Sequence, residues 1–301
     1  MKKFTKTSLF LASAMLMLGM VAINSCKDDD NTLPKINGYN NSNEVAATYL
    51  KAHWTFDNTY NEAISSTAPT NEYGTYGFET GQIGSALKLT AGAVVYPSIA
   101  NINTANALNN FSVSLWVKTS GNKGTAYSGF TAFFGLIPTG VTDIWGDIMA
   151  CAETSRHLPS SDTLELKSLL NTHPVGGGNS LQDNVAQLSD AGNGAWFMGA
   201  NDWSHYVMTW NASTHQFLLY GNAVSCGAWN DRGTTAELIM AVPVQPVFGS
   251  LASSDIGFAG APAQQTWAPW ARASIDDVRV FNTTLSQAEV TALYNLGLAG
   301  R

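Results

Sequence analysis

The chain has 301 residues, with 15 Lys and Arg against 22 Asp and Glu, a formal net charge of −7 and only 12% charged residues. An acidic chain of this kind does not carry the positive charge that nucleic acids and anionic membranes select. Its polar surface must come mainly from Ser, Thr, Asn, Gln and Gly, and its length allows one large all-β domain or two small ones.

The N-terminus reads as an export signal. Lys2, Lys3 and Lys6 form a positive n-region, and Ser8 to Ile23 is an uncharged apolar run too short to span a membrane comfortably. The run ends Ile23-Asn24-Ser25-Cys26, which resembles a bacterial lipobox. That resemblance implies cleavage before Cys26 and a lipid anchor on Cys26; an ordinary secretory signal that happens to hold a cysteine is the plainer alternative. Lys27-Asp28-Asp29-Asp30 resembles the surface-export signal of Bacteroidetes-type lipoproteins, which implies an outer-membrane lipoprotein exposed at the cell surface. The same run also reads as a solvated stretch of a tether. Removing residues 1–25 takes three lysines and no acids, leaving 12 basic against 22 acidic residues, a net charge of −10. Residues 26–44, rich in Asn, Asp, Gly and Pro, read as the modified cysteine and a flexible tether.

From Val45 to Arg301 the chain reads as one domain, without an internal repeat or second linker. Tyr49 to Phe56, Ser85 to Leu89, Phe111 to Thr119, Ala132 to Ile137, Ile144 to Cys151, Trp203 to Trp210, Gln216 to Tyr220 and Leu238 to Val242 are strand candidates. Phe111, Val113, Leu115 and Val117 alternate with Ser112, Ser114, Trp116 and Lys118, the pattern of a half-buried strand. The rhythm breaks from about Glu153 to Gly194, where Leu164 to Leu170 suggests a short helical turn and Gly176 to Gly178 a loop. Such an insertion is either a functional loop or decoration. Ala273 to Gly297 reads as a strand followed by a capped helix. Ser286 and Glu289 fit a capping box, Leu285 and Val290 a hydrophobic staple, and Gly297 a helix end. Many short strands without βαβ alternation argue for a sandwich. An export route permits a Cys151–Cys226 disulfide, and two buried thiols fit equally well.

Five stretches, in order, resemble the laminin-G-like, concanavalin A-like domains. They are His53-Trp-Thr-Phe-Asp57, Gly84-Ser-Ala-Leu-Lys-Leu89, Phe111-Ser-Val-Ser-Leu-Trp-Val-Lys118, Trp203-Ser-His-Tyr-Val-Met-Thr-Trp210 with Leu219-Tyr-Gly-Asn222, and Ile275-Asp-Asp-Val-Arg-Val-Phe281 with Leu285-Ser-Gln-Ala-Glu289. Tyr220-Gly-Asn222 departs from the pattern, with glycine before asparagine. The resemblance implies an all-β jelly-roll sandwich of two antiparallel sheets with a short C-terminal helix. It also implies binding, of glycans or of proteins, and in many members a structural calcium.

Calcium takes six to eight oxygens. In related sandwich glucanases the aspartate opening the closing strand binds it, which assigns that place to Asp276, with Asp57 as second donor. Strand alternation sends Asp277 to the opposite face, where Arg279 is its natural partner. Sugars offer flat C–H faces to aromatic rings and hydroxyls to amides and carboxylates. Trp54, Trp116, Trp203 and Trp210 fall inside strand motifs and read as packing. Trp145, Trp229, Trp267 and Trp270 fall in or near loops, so Trp145, Trp229, Asn230, Asp231, Trp267 and Trp270 are the candidate ligand-binding residues. The Glu-x-Asp-x-(x)-Glu pattern of the glucanases does not occur, so no catalytic residue is assigned. The sequence therefore points to a surface-anchored module that binds extracellular polysaccharide or glycan, alongside an outer-membrane uptake complex. A glycoside hydrolase or polysaccharide lyase on the same fold, or a protein-binding adhesin, are the alternatives.

Overall fold

Fifteen strands and one α-helix follow one another among the described residues. They are β1 (Leu50–Trp54), β2 (Asn71–Thr80), β3 (Ser85–Val95), β4 (Asn110–Thr119), β5 (Thr131–Pro138), β6 (Ile148–Glu153), β7 (Thr163–Pro174), β8 (Leu181–Ala186), β9 (Phe197–Met198), β10 (Ser204–Asn211), β11 (Gln216–Gly221), β12 (Val224–Trp229), β13 (Leu238–Ile239), β14 (Val244–Phe248), β15 (Ala271–Phe281) and α1 (Gln287–Leu298). The computed structural model describes residues 33–119, 130–153, 163–174, 181–186, 197–198, 202–229, 238–240 and 244–301. The signal segment, Cys26, Asn230 and Asp231 lie outside the described residues.

Hydrogen bonding runs in the order β12-β11-β10-β4-β15-β3-β14-β5-β6-β7-β13, with β1 on β15, β2 on β3, and β8 and β9 on β7. Neighbours are antiparallel. The sheet curls on itself through β3, which pairs with β15 over Leu87–Gly92 and with β14 at Val94 and Val95. Ala91 takes a left-handed φ of 58° at that corner. The inward set accordingly shifts from Leu87 and Leu89 to Val94. The result is the antiparallel jelly-roll sandwich that the alternating strands call for. Its inner faces bury Trp54, Phe111, Val113, Leu115, Phe134, Trp210 and Phe248. Burying such a side chain contributes about 1.5–3 kcal/mol.

Two smaller clusters cover the outer faces. One lies beneath residues 249–270 and holds Ala93, Met149, Val247, Leu251 and Phe258. The other lies beneath α1 and joins Val207, Phe281, Leu285, Val290, Leu293 and Leu296 to Val45. The helix starts as its sequence dictates: the Ser286 hydroxyl accepts the Glu289 N–H, and the Glu289 carboxylate accepts the Ser286 N–H at 2.8 Å.

Several sequence expectations change. Leu164 to Leu170 is strand β7, not a helical turn: Leu166 and Leu170 face the inner core and Leu169 the outer cluster. A strand buried on both faces carries apolar residues at spacings that mimic a helix. The tether does not reach residue 44, because the compact unit begins at Ile36. Ile36 and Tyr39 pack against the α1 cluster, and the buried Ser42 hydroxyl accepts a hydrogen bond from Arg279 at 2.8 Å. Gly297 lies within α1 instead of ending it. Gly300, at φ 68°, supplies the left-handed residue, while the N–H groups of Gly300 and Arg301 return to Gly297 and Leu296. Cys151 belongs to an outer cluster and Cys226 to the inner core, and both are buried thiols that form no disulfide.

Candidate functional site

The closing strand β15 carries the first site. Ala271, Ala273 and Ile275 point inward, then Val278 and Val280 do, so the inward set changes parity after Ile275. The pairing of β15 with β4 shifts register between Asp276 and Arg279, and Asp277 takes φ 47°. This is a β-bulge, and it turns two consecutive carboxylates toward one side. The expectation that Asp277 faces away from Asp276 is therefore overturned: both line one cavity of about 110 Å3, together with Asp57, Thr55, His53 and Arg279.

Asp57 and Asp276 grip the same turn. The Ser85 N–H donates to Asp57 Oδ1 at 2.8 Å, and the Ile83 N–H donates to Asp276 Oδ2 at 2.8 Å. Gly84, at φ 64°, leaves no room for a side chain, since a Cβ there would sit 2.0 Å from Asp57 Oδ1. Asp276 is fully buried, and its Oδ1 has no hydrogen-bond partner among the described residues. Burial pushes its carboxyl up to about 8; the Ile83 N–H opposes this and the Asp277 charge adds to it. Asp277 behaves oppositely. Burial alone would raise it, but the Arg279 guanidinium, with Nε at 3.0 and 3.1 Å and a second nitrogen at 2.8 Å, and His53 Nε2 at 2.8 Å hold it well below the usual carboxylate range. The pairing of Asp277 with Arg279 is as expected from sequence; the contributions of His53 and Ser42 were not legible. A buried acceptor-only oxygen beside a second carboxylate suits a hard cation. Among the described residues no three His, Cys, Asp or Glu side chains are placed to hold one ion together, so carbonyl oxygens and water would supply the remaining ligands.

The second site is aromatic. Trp145, in the β5–β6 loop, and Trp267, in the loop before β15, meet with ring centroids 5.9 Å apart. Trp267 also packs edge-on against Phe130 at 5.2 Å, and Trp270 lies 5.8 Å from Tyr73. The Ala252 N–H donates to the Ile144 carbonyl at 2.9 Å and ties the two loops together. Tyr73, Trp145 and Trp270 pack against the outer cluster over β5, β6 and β14, and Trp267 meets it at Phe130. Trp145 and Trp270 are half-buried, whereas Trp267 is 41% exposed. Trp229 lies elsewhere, on β12 opposite Phe217 of β11, and the cluster's described members include none from β12. Trp54, Trp116 and Trp210 are buried as expected. Trp203 is half-buried beneath the Lys118 ammonium, 4.8 Å from its ring.

No family model matches the sequence, and no curated protein matches it. Solved structures do. Domain 4 of AbnA, a GH43 extracellular arabinanase from Geobacillus stearothermophilus determined in complex with arabinotriose, is similar with a TM-score of 0.52 at 18% identity, over 81% of this chain and 98% of that one. The binding domain of Paraclostridial Mosquitocidal Protein 1 is similar with a TM-score of 0.52 at 12% identity, over 83% of this chain and 52% of that one. The ligand-binding domain of botulinum neurotoxin serotype D, in complex with N-acetylneuraminic acid, gives 0.52 at 13%, over 84% and 52%. The chain thus spans about half the length of the toxin domains. At these identities the likeness is one of fold: an antiparallel jelly-roll β-sandwich.

Proposed function

We propose that this domain is a laminin-G-like carbohydrate-binding module. In this reading it is carried at the outer surface of the cell by a lipid on Cys26 and captures extracellular polysaccharide or glycan for an uptake complex. The observation that carries the reading is the meeting of Trp145 and Trp267 from two separate loops, with the Trp267 ring open to solvent. An exposed indole on a rigid β platform gives a flat apolar surface for a sugar ring without the ordering cost of a long side chain. Binding of arabinotriose and of N-acetylneuraminic acid by domains of like fold supports the same reading.

Calcium at Asp57 and Asp276 is part of the proposal, as a structural ion bridging the Gly81–Ser85 turn to β15 and not as a catalyst. The test is affinity electrophoresis across a polysaccharide panel, with and without calcium. Trp267→Ala should weaken binding at least tenfold, on the scale of an aromatic hot spot, while Trp203→Ala leaves it unchanged. A wild-type protein that retards on no glycan, or a Trp267→Ala protein that binds like wild type, overturns the reading. Mass spectrometry of the mature N-terminus tests the anchor, which requires a diacylglycerol-modified Cys26.

A further inference from the structure

A second buried carboxylate stands apart from the Asp57–Asp276 turn. Asp147 closes the loop that carries Trp145 and leads into β6. Its N–H donates to the Leu136 carbonyl of β5 at 2.9 Å, and its own carbonyl accepts the Asn171 N–H of β7 at 2.8 Å. These bonds pin it between two neighbouring strands. On β6, Ile148 faces the inner core and Met149 and Cys151 the outer cluster; on β7, Leu170 faces inward and Leu169 outward. Alternation therefore places Asp147 and Asn171 at facing positions on the outer face. Asp147 is only 2% exposed. Its Oδ2 and the Asn171 Oδ1 are both buried, and neither has a hydrogen-bond partner among the described residues.

Two buried acceptor oxygens without a partner among the described residues are costly, at about 1–3 kcal/mol each and more for a charge. Neutralising Asp147 by protonation is one relief: burial, with the Asp143 charge adding, pushes its carboxyl up to about 8. A cation is the other, and it satisfies both oxygens together. Asp143 lies exposed in the same loop, where its Oδ1 accepts the Trp145 backbone N–H at 2.8 Å and its charge acts on Asp147, so a second carboxylate stands at the rim. Calcium accepts such a mixed set of carboxylate, amide and water oxygens.

We propose that Asp147 and Asn171, with Asp143 at the rim, form a second cation site, for calcium by its all-oxygen donor set, and that the ion fixes the loop presenting Trp145. The site is separate from the Asp57–Asp276 turn. Its existence does not depend on the glycan reading; only its effect on glycan affinity rests on it.

The experiment uses the full chain, stripped with chelator, in the Asp276→Asn background to silence the other turn. Calcium should raise its melting temperature, and terbium should give indole-sensitised luminescence that calcium displaces and that Trp145→Phe reduces severalfold. Adding Asp147→Asn should abolish the calcium response, and should raise the ion-free melting temperature above about pH 8, where the wild-type carboxylate would be buried, charged and unpaired. Asn171→Ala should weaken calcium binding at least tenfold and provides a second reading of the site. An Asp276→Asn protein that is folded by circular dichroism yet blind to calcium overturns the proposal, and indicates that the Asn171 amide itself donates to Asp147. A calcium response that survives Asp147→Asn overturns it equally. Loss of calcium binding with glycan affinity intact removes only the coupling, whereas calcium binding without any glycan affinity removes the glycan reading and leaves the site.

Discussion

Gly297 shows how one atom's absence sets a contact. A Cβ there would sit 2.5 Å from the Trp116 ring. That ring cannot yield: it is 1% exposed, stacks on Tyr294 at 5.8 Å and lies 4.9 Å from His205. Alanine favours a helix interior over glycine by about 1 kcal/mol, but overpacking a rigid site costs about 1–3 kcal/mol. Gly297→Ala should therefore destabilise by roughly 1 kcal/mol, read as a lower urea midpoint with unchanged slope; a stabilised variant would contradict the contact. The sequence does not announce this role, because a glycine near a helix end reads equally well as its stop. The candidate tryptophans divide in the same way. Loop position marked Trp145, Trp267 and Trp270, but the meeting of Trp145 with Trp267 depends on two loops distant in sequence. Asp147 and Asn171 carry no motif at all, since their pairing follows from the register of β6 and β7.

At the scale of elements, legibility follows how local the determinants are. Helix α1 was readable because its capping box and staple lie within six residues, Leu285 to Val290. Strand β4 was readable because one of its faces is wholly apolar. Strand β2 was not: it pairs only with β3, most of its residues are exposed, and Gly74 and Gly77 dilute its pattern. The bulge at Asp277 left one trace, an aspartate, which tolerates the left-handed region better than most residues. The segment from Ile36 to Glu44 looked like linker because it is held by backbone turns and by partners far along the chain. Asn41 Oδ1 accepts the Asn43 N–H at 3.0 Å, the Ser42 N–H donates to the Arg301 carbonyl at 3.2 Å, and Arg279 reaches the Ser42 hydroxyl. A chain starting at Val45 loses the packing of Ile36 and Tyr39 and strips the buried Arg279 of two acceptors on Ser42. Apolar burial and a charge-assisted hydrogen bond together put the loss at roughly 4 kcal/mol. A chain starting at Ile36 should melt like the longer one. Equal melting temperatures for the two truncations would return the segment to the tether.

Across the whole molecule, buried and half-buried titratable groups on the outer faces decide how stability follows pH. His205 is 1% exposed, with Nε2 2.9 Å from the Ser114 hydroxyl and Nδ1 without a partner among the described residues. Burial drops it to about 3, with Asp277 opposing and Arg279 assisting. Glu79 is lowered to about 2: burial alone would raise it, but Lys118, Lys88 and Ser274 outweigh that. Both groups have folded values below their unfolded ones, so the unfolded chain binds more protons in the interval. Their contributions are complete above about 6.5 for His205 and 4.5 for Glu79, and are lost as pH falls toward about 3 and 2. Asp147 and Asp276, raised to about 8, act in the opposite sense without metal: their contributions are complete below about 3.8 and are lost as pH climbs through about 8. The net profile mixes these terms, so the decisive measurement is a difference. Between pH 6.5 and 4.5 the wild-type protein should lose about 2 kcal/mol more than His205→Gln, approaching 1.4 kcal/mol per pH unit at the acid end. The window lies above the span over which Glu79 titrates, and the two buried aspartates are common to both proteins. Parallel denaturation curves for wild type and His205→Gln across that window would mean that His205 is protonated, and solvated, in the folded state.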